Sequence, residues 1–143
     1  MKSILCIFVL FLLFQHALIS GESNKTNDYV KVEFSVKLKV KKQGVSGELL
    51  INFKPKEGIH INLDPPVTVK FDSNSLAVSA GKLETSKIKE YLDASKPVKQ
   101  RFTLSGNSKT ALLKGVLTYF YCSAAEGWCS RFKQPFEINV KIK

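Results

Sequence analysis

The sequence predicts an all-β domain, an antiparallel sandwich of about seven to nine short strands. Three observations carry that expectation. Apolar and polar residues alternate with period two over long stretches, Gly, Pro, Asn and Asp punctuate the chain between them, and no segment sustains a long helical period.

Residues 1–21 are set aside first. Met1-Lys2 is a short positive start, Ile4 to Phe14 is unbroken apolar sequence, and Ala17, Ser20 and Gly21 are small. This is the layout of a secretory signal peptide cleaved after Ser20 or Gly21, leaving a domain over 22–143. Even carried to Ile19, the run falls short of the roughly 20 residues a bilayer span needs, though a retained anchor is the alternative. Cys6 lies too early in it to be a lipoprotein cysteine. The domain is therefore expected to be exported, periplasmic or secreted, with no stable membrane insertion after cleavage.

The elements follow in order. From Tyr29 to Lys42, Val30, Val32, Phe34, Val36, Leu38 and Val40 alternate with Lys31, Glu33, Ser35, Lys37, Lys39 and Lys41, which makes a strand with one buried face. Lys42-Gln43-Gly44 turns the chain, and Leu49, Ile51 and Phe53 then point inward. Pro55 and Gly58 break the pattern. Ile59, Ile61 and Leu63 resume it, with His60 and Asn62 on the opposite side. Asp64-Pro65-Pro66 interrupts again, because proline cannot donate to a central ladder. Val67, Val69 and Phe71 form the next strand, and Leu76 with Val78 a further short one. Lys82 to Lys96 is charged and reads as a long loop anchored by Ile88, Tyr91 and Leu92. Strands return at Val98 to Leu104, Leu112 to Cys122 and Phe132 to Ile142. Their number and spacing predict an immunoglobulin-like sandwich, with a closed barrel as the alternative.

The formal charge is +10, yet Arg101 and Arg131 are the only arginines. Arginine is the residue suited to bidentate phosphate and base recognition, and the lysines are spread along strands. A solvated, edge-protecting surface is expected, not a nucleic-acid interface.

Past the leader, Cys122 and Cys129 remain, and in an oxidising compartment they can pair. No metal or other cofactor is implied. The domain adds only His60 to the two cysteines, which is too few ligands for zinc and too few histidines for blue copper. His60 is also the lone candidate base for a cysteine nucleophile or a hydrolase triad, and it is distant in sequence. A bridge between the cysteines would close one hairpin and contribute roughly 2.5 kcal/mol by chain-entropy reckoning. On the incoming strand Leu113, Leu117, Tyr119 and Tyr121 share a face. Lys114, Val116, Thr118, Phe120 and Cys122 share the wetter one. Cys122 is thus expected to point away from the core, at an accessible hairpin end. Two readings stand. One is an exported thiol–disulfide exchange domain, with protein-disulfide reductase or interchange activity. The other is an exported binding module whose hairpin disulfide is structural and whose ligand meets Tyr119, Phe120, Tyr121 and Trp128.

The segment Thr118-Tyr119-Phe120-Tyr121-Cys122-Ser123-Ala124-Ala125-Glu126-Gly127-Trp128-Cys129 resembles the cysteine hairpin in the N-terminal periplasmic domain of DsbD, the thiol:disulfide interchange protein. There a Thr-Tyr pair leads to a cysteine, and a short Ala/Gly/acidic loop ends in an aromatic just before the second cysteine. Gly58-Ile59-His60-Ile61 is similar to that family's strand entry. This loop is one residue longer than the family's five, and Ser130-Arg131-Phe132 stands where Tyr-Pro-Pro can follow. The resemblance implies an immunoglobulin-like fold and a redox-active Cys122–Cys129 pair in which Cys129 forms the intermolecular bond and Cys122 resolves it. It implies thioredoxin-fold or disulfide-bearing periplasmic partners, with electrons supplied by a separate membrane protein. It also implies a shielding loop, which falls at Lys87 to Asp93 and includes Tyr91. Glu126, a carboxylate between the cysteines, is expected to disfavour the thiolate.

Overall fold

The structure is a computed structural model that describes residues 26–106 and 108–142; the expected leader, 1–21, lies outside them. β1 (Val30–Lys41) and β2 (Gly44–Pro55) pair antiparallel over their whole length, Val30 facing Pro55 and Lys41 facing Gly44. β2 also pairs β8 (Val98–Leu104), and β8 pairs β5 (Ala77–Ser79), so the first sheet runs β1-β2-β8-β5. The second is built on β9 (Thr110–Ser123). It pairs β10 (Trp128–Lys141) on one side, and β3 (Ile59–Ile61) and then β4 (Thr68–Phe71) on the other. With β3 and β4 taken as two halves of one strand, this is the A-B-E-D against G-F-C order of an immunoglobulin constant-type domain. The barrel alternative is set aside, because the two sheets do not join.

The core lies between the inner faces. Leu49, Ile51, Phe53, Val98 and Phe102 of the first sheet meet Ile61, Leu113, Leu117 and Tyr119 of the second, all of them buried. Phe53 meets Tyr119 edge-on at 5.2 Å, and Phe71 meets Phe102 likewise at 5.8 Å. Gly115 is where β4 closes on β9. A Cβ there would come within 2.4 Å of the Lys70 carbonyl oxygen and 3.0 Å of Phe71 Cα, so the backbone approach needs glycine.

Several elements differ from expectation. Val40 is 57% exposed, because β1 and β10 part at that end and leave a groove of about 410 Å³ lined by Val36, Leu38, Ile138 and Val140. Leu76 and Val78 are also exposed. Alternation cannot say which parity of a short strand faces inward, and pairing with β8 puts Ala77 opposite the buried Leu104. The expected loop at Lys82 to Lys96 contains a small hairpin of β6 (Lys87–Ile88) and β7 (Tyr91–Leu92). The β9–β10 hairpin extends further toward its tip than predicted, Trp128 facing Ser123.

Candidate functional site

Cys122 and Cys129 face each other across β9 and β10, and their sulfurs are bonded, with the Cα atoms 4.0 Å apart. Both side chains lie on the outer face, as the alternation along β9 predicts. Accessibility differs from prediction. β9 is an interior strand, so Cys122 is flanked by Cys129 on one side and by His60, its β3 partner, on the other. It is only 9% exposed, whereas Cys129, on the edge strand, is exposed. The two cysteines are therefore unequally exposed. His60, remote in sequence, is brought beside the cystine by strand pairing alone.

The loop between the cysteines is held by its own backbone. Gly127, at φ 71°, donates its N–H to the Ser123 carbonyl at 2.9 Å, and Glu126 donates its N–H to Ser123 Oγ at 3.3 Å. Glycine meets that left-handed conformation without steric cost. The Trp128 indole N–H donates to the Glu126 carboxylate, which ties this acid to the ring. Trp128 packs edge-on against Tyr121 at 5.8 Å and Tyr29 at 5.0 Å.

The expected aromatic contact patch is thereby divided. Tyr119 is fully buried and Tyr121 nearly so, both on the inner face. Phe120 is half-buried on the outer face. Two of the four rings are core and cannot meet a partner, because strand alternation sends neighbours to opposite sides. Burial pushes the Tyr119 phenol up to about 12, outweighing the bond its oxygen accepts from Asn27 Nδ2 at 3.0 Å.

The β6–β7 hairpin forms the opposite wall. Leu92 is buried and anchors it, and Asp93 closes its base by accepting bonds from the Ser95 hydroxyl and N–H and pairing with Lys96 at 3.3 Å. The Ser95 hydroxyl, more than Lys96, holds the Asp93 carboxyl below its usual range. Tyr91 stacks on His60 at 4.5 Å and bridges to Asn62. Asn62 in turn donates its N–H to the Phe120 carbonyl at 2.8 Å. The chain then leaves the sheet through Asp64 and a cis Asp64–Pro65 peptide before β4 begins.

These walls enclose an open cleft of about 570 Å³ that both cysteines line, together with Asn62, Asp64, Glu90 and Tyr91. Sequence reasoning missed Asn62, Asp64 and Glu90. Their only signal was the proline break after Leu63, which sends the chain outward at this point. Asp64 and Glu90 thus add two carboxylates to the lining of the cleft that holds the cystine. Among the described residues no group of three His, Cys, Asp or Glu is placed to hold a metal, and no helix is long and apolar enough to cross a membrane.

No protein-family model matches the sequence, and no curated protein matches it. Among solved structures, the chain is similar to the N-terminal domain of DsbD from Neisseria meningitidis, in its reduced form. Identity is 18%, the match covers 77% of this chain and 90% of that one, and the TM-score is 0.35.

Proposed function

We propose that this protein is an exported thiol–disulfide exchange domain working through Cys122 and Cys129. The observation that carries the reading is the asymmetry of the bridge: Cys129 is exposed on an edge strand, Cys122 is buried between two strands, and both line a cleft. Exchange needs in-line approach to one sulfur, and a cystine that lines an open cleft with one cysteine exposed supports that approach. The sequence resemblance to the DsbD cysteine hairpin agrees with this role. The binding-module alternative loses support, because Tyr119 and Tyr121 of its contact patch are buried.

In the reduced state the Cys129 thiolate attacks a partner disulfide. The partner's S–S bond breaks, a mixed disulfide forms on Cys129, and one partner sulfur leaves as thiolate. The Cys122 thiolate then attacks Cys129 Sγ, which restores the Cys122–Cys129 bond and releases the second partner thiolate. Two electrons pass to the partner, and its sulfurs take up two protons as the two cysteines lose theirs. The reverse sequence recharges the domain from a dithiol donor, which the reading assigns to a separate membrane protein. Thioredoxin-fold proteins are the partner class, since their exposed active-site sulfur fits an open cleft. Tyr91 shields the pair between encounters, and Glu126, held by Trp128, keeps the loop in shape.

Trapping tests the assignment. Cys122→Ala should accumulate a mixed disulfide with an oxidised thioredoxin-fold protein on non-reducing gels, and Cys129→Ala should accumulate little. The reverse pattern would exchange the two roles, and no adduct from either variant would refute the exchange function.

A further inference from the structure

The far end of the sandwich from the cystine carries a second feature that the exchange chemistry does not use. Among the described residues β1 is an edge strand, with β2 as its one neighbour. The Lys56 N–H donates to the Tyr29 carbonyl at 2.9 Å, and Pro55, which has no N–H, faces Val30. That phase means the odd-numbered residues of β1 bond to β2. The N–H and C=O groups of Val36, Leu38 and Val40 therefore turn to the open side.

The two faces beside this free edge differ sharply. On the outer face Lys37, Lys39 and Lys41 stand about 6.8 Å apart along the strand and line an open groove of about 570 Å³ with Ser46, Glu48, Arg101 and Thr103. Arg101 is paired with Glu84 at 3.1 Å, and Glu48 faces Lys37, but none of the three lysines is in an ion pair among the described residues. On the inner face lies the groove between β1 and β10, lined by the apolar Val36, Leu38, Ile138 and Val140 together with Asn139 and Lys141, and Val40 of the same strand is exposed.

We infer that the β1 edge is a docking site for an extended polypeptide segment that alternates acidic and apolar residues. Such a segment adds a strand to the first sheet. Its backbone pairs with Val36, Leu38 and Val40, its acidic side chains meet the lysine row, and its apolar side chains enter the groove against β10. The period of two matches all three features at once. A second copy of this chain does not fit, because two antiparallel β1 edges set lysine against lysine. A polyanion without a peptide backbone uses the lysines alone and leaves the edge and the apolar groove empty.

The probe is a ten-residue peptide of alternating Glu and Val, compared with a peptide of the same composition in two blocks. Binding is followed by fluorescence anisotropy and by backbone amide NMR. The alternating peptide should bind saturably, shift the β1 amides, and bind at least about tenfold more tightly than the block peptide. Lys37→Glu/Lys39→Glu should weaken it at least about tenfold, since like charges then face each other. Val40→Pro removes an outward N–H that the β1–β2 ladder does not use, so it should also weaken binding while the melting temperature holds. Equal binding of the two peptides, or shifts spread over every basic surface, would show general charge attraction and overturn the proposal. So would unchanged binding by Val40→Pro, or no saturable binding at all.

Discussion

Reducing the Cys122–Cys129 bond should leave the domain folded, with a loss of stability that can be worked out beforehand. The bridge spans a sequence separation of seven, so chain-entropy reckoning assigns it about 8 cal/mol/K, or about 2.4 kcal/mol at room temperature. Neither cysteine belongs to the buried cluster between the sheets, which is built from Leu49, Ile51, Phe53, Phe102, Leu113, Leu117 and Tyr119 among others. The hairpin also has a second means of closure, since β9 and β10 are each 14 residues long and pair throughout. With about 2.1 cal/mol/K of unfolding entropy per residue over roughly 115 residues, 2.4 kcal/mol amounts to a drop of about 10 °C in Tm. The assay is scanning calorimetry of the oxidised protein, the reduced protein and Cys122→Ala/Cys129→Ala. Alanine is chosen because a serine hydroxyl at the sheltered Cys122 position would add a desolvation cost of its own. One cooperative transition in all three, displaced by about 10 °C or less, is the expected result. Loss of cooperativity, or a drop beyond about 20 °C, would mean that the bond is a folding staple and would refute the reasoning.

Two further outcomes follow from the site and its surroundings. Tyr91→Ala removes the ring stacked on His60 at the cleft wall, so reduction of the bond by dithiothreitol should accelerate severalfold; an unchanged rate would take the β6–β7 hairpin out of the mechanism. Tyr119, raised to about 12, holds its proton more tightly folded than unfolded, where a phenol titrates near about 10. Its contribution to stability is therefore fully present below pH ~10 and is lost as pH rises through about 12. Ultraviolet titration should show one of the four tyrosines ionising only as the fold gives way, and Tyr119→Phe should remove that step.

The sandwich was legible because its signal is local. Period-two alternation from Val30 to Leu38, at Leu49 to Phe53 and at Leu113 to Tyr121 reports which residues a strand buries, whatever the strand pairs with. The same alternation placed Cys122 on the outer face. It could not say that β3 would lie against β9 and shelter that sulfur, because pairing is a long-range event that joins residue 60 to residue 122. For the same reason His60 and Asp64 were invisible as neighbours of the cystine. Glu90 was invisible because a hairpin with two-residue strands carries too little periodicity to be recognised. Short strands erred in phase as well: at Leu76 to Val78 only the register with β8 decides that Ala77 is inside. The inequality of the two sulfurs belongs to the same class. By itself the sequence determined that a cysteine pair ends an outward-facing hairpin, since that depends on spacing and parity. Which cysteine is open was decided by tertiary structure alone, since exposure depends on what the neighbouring strands cover.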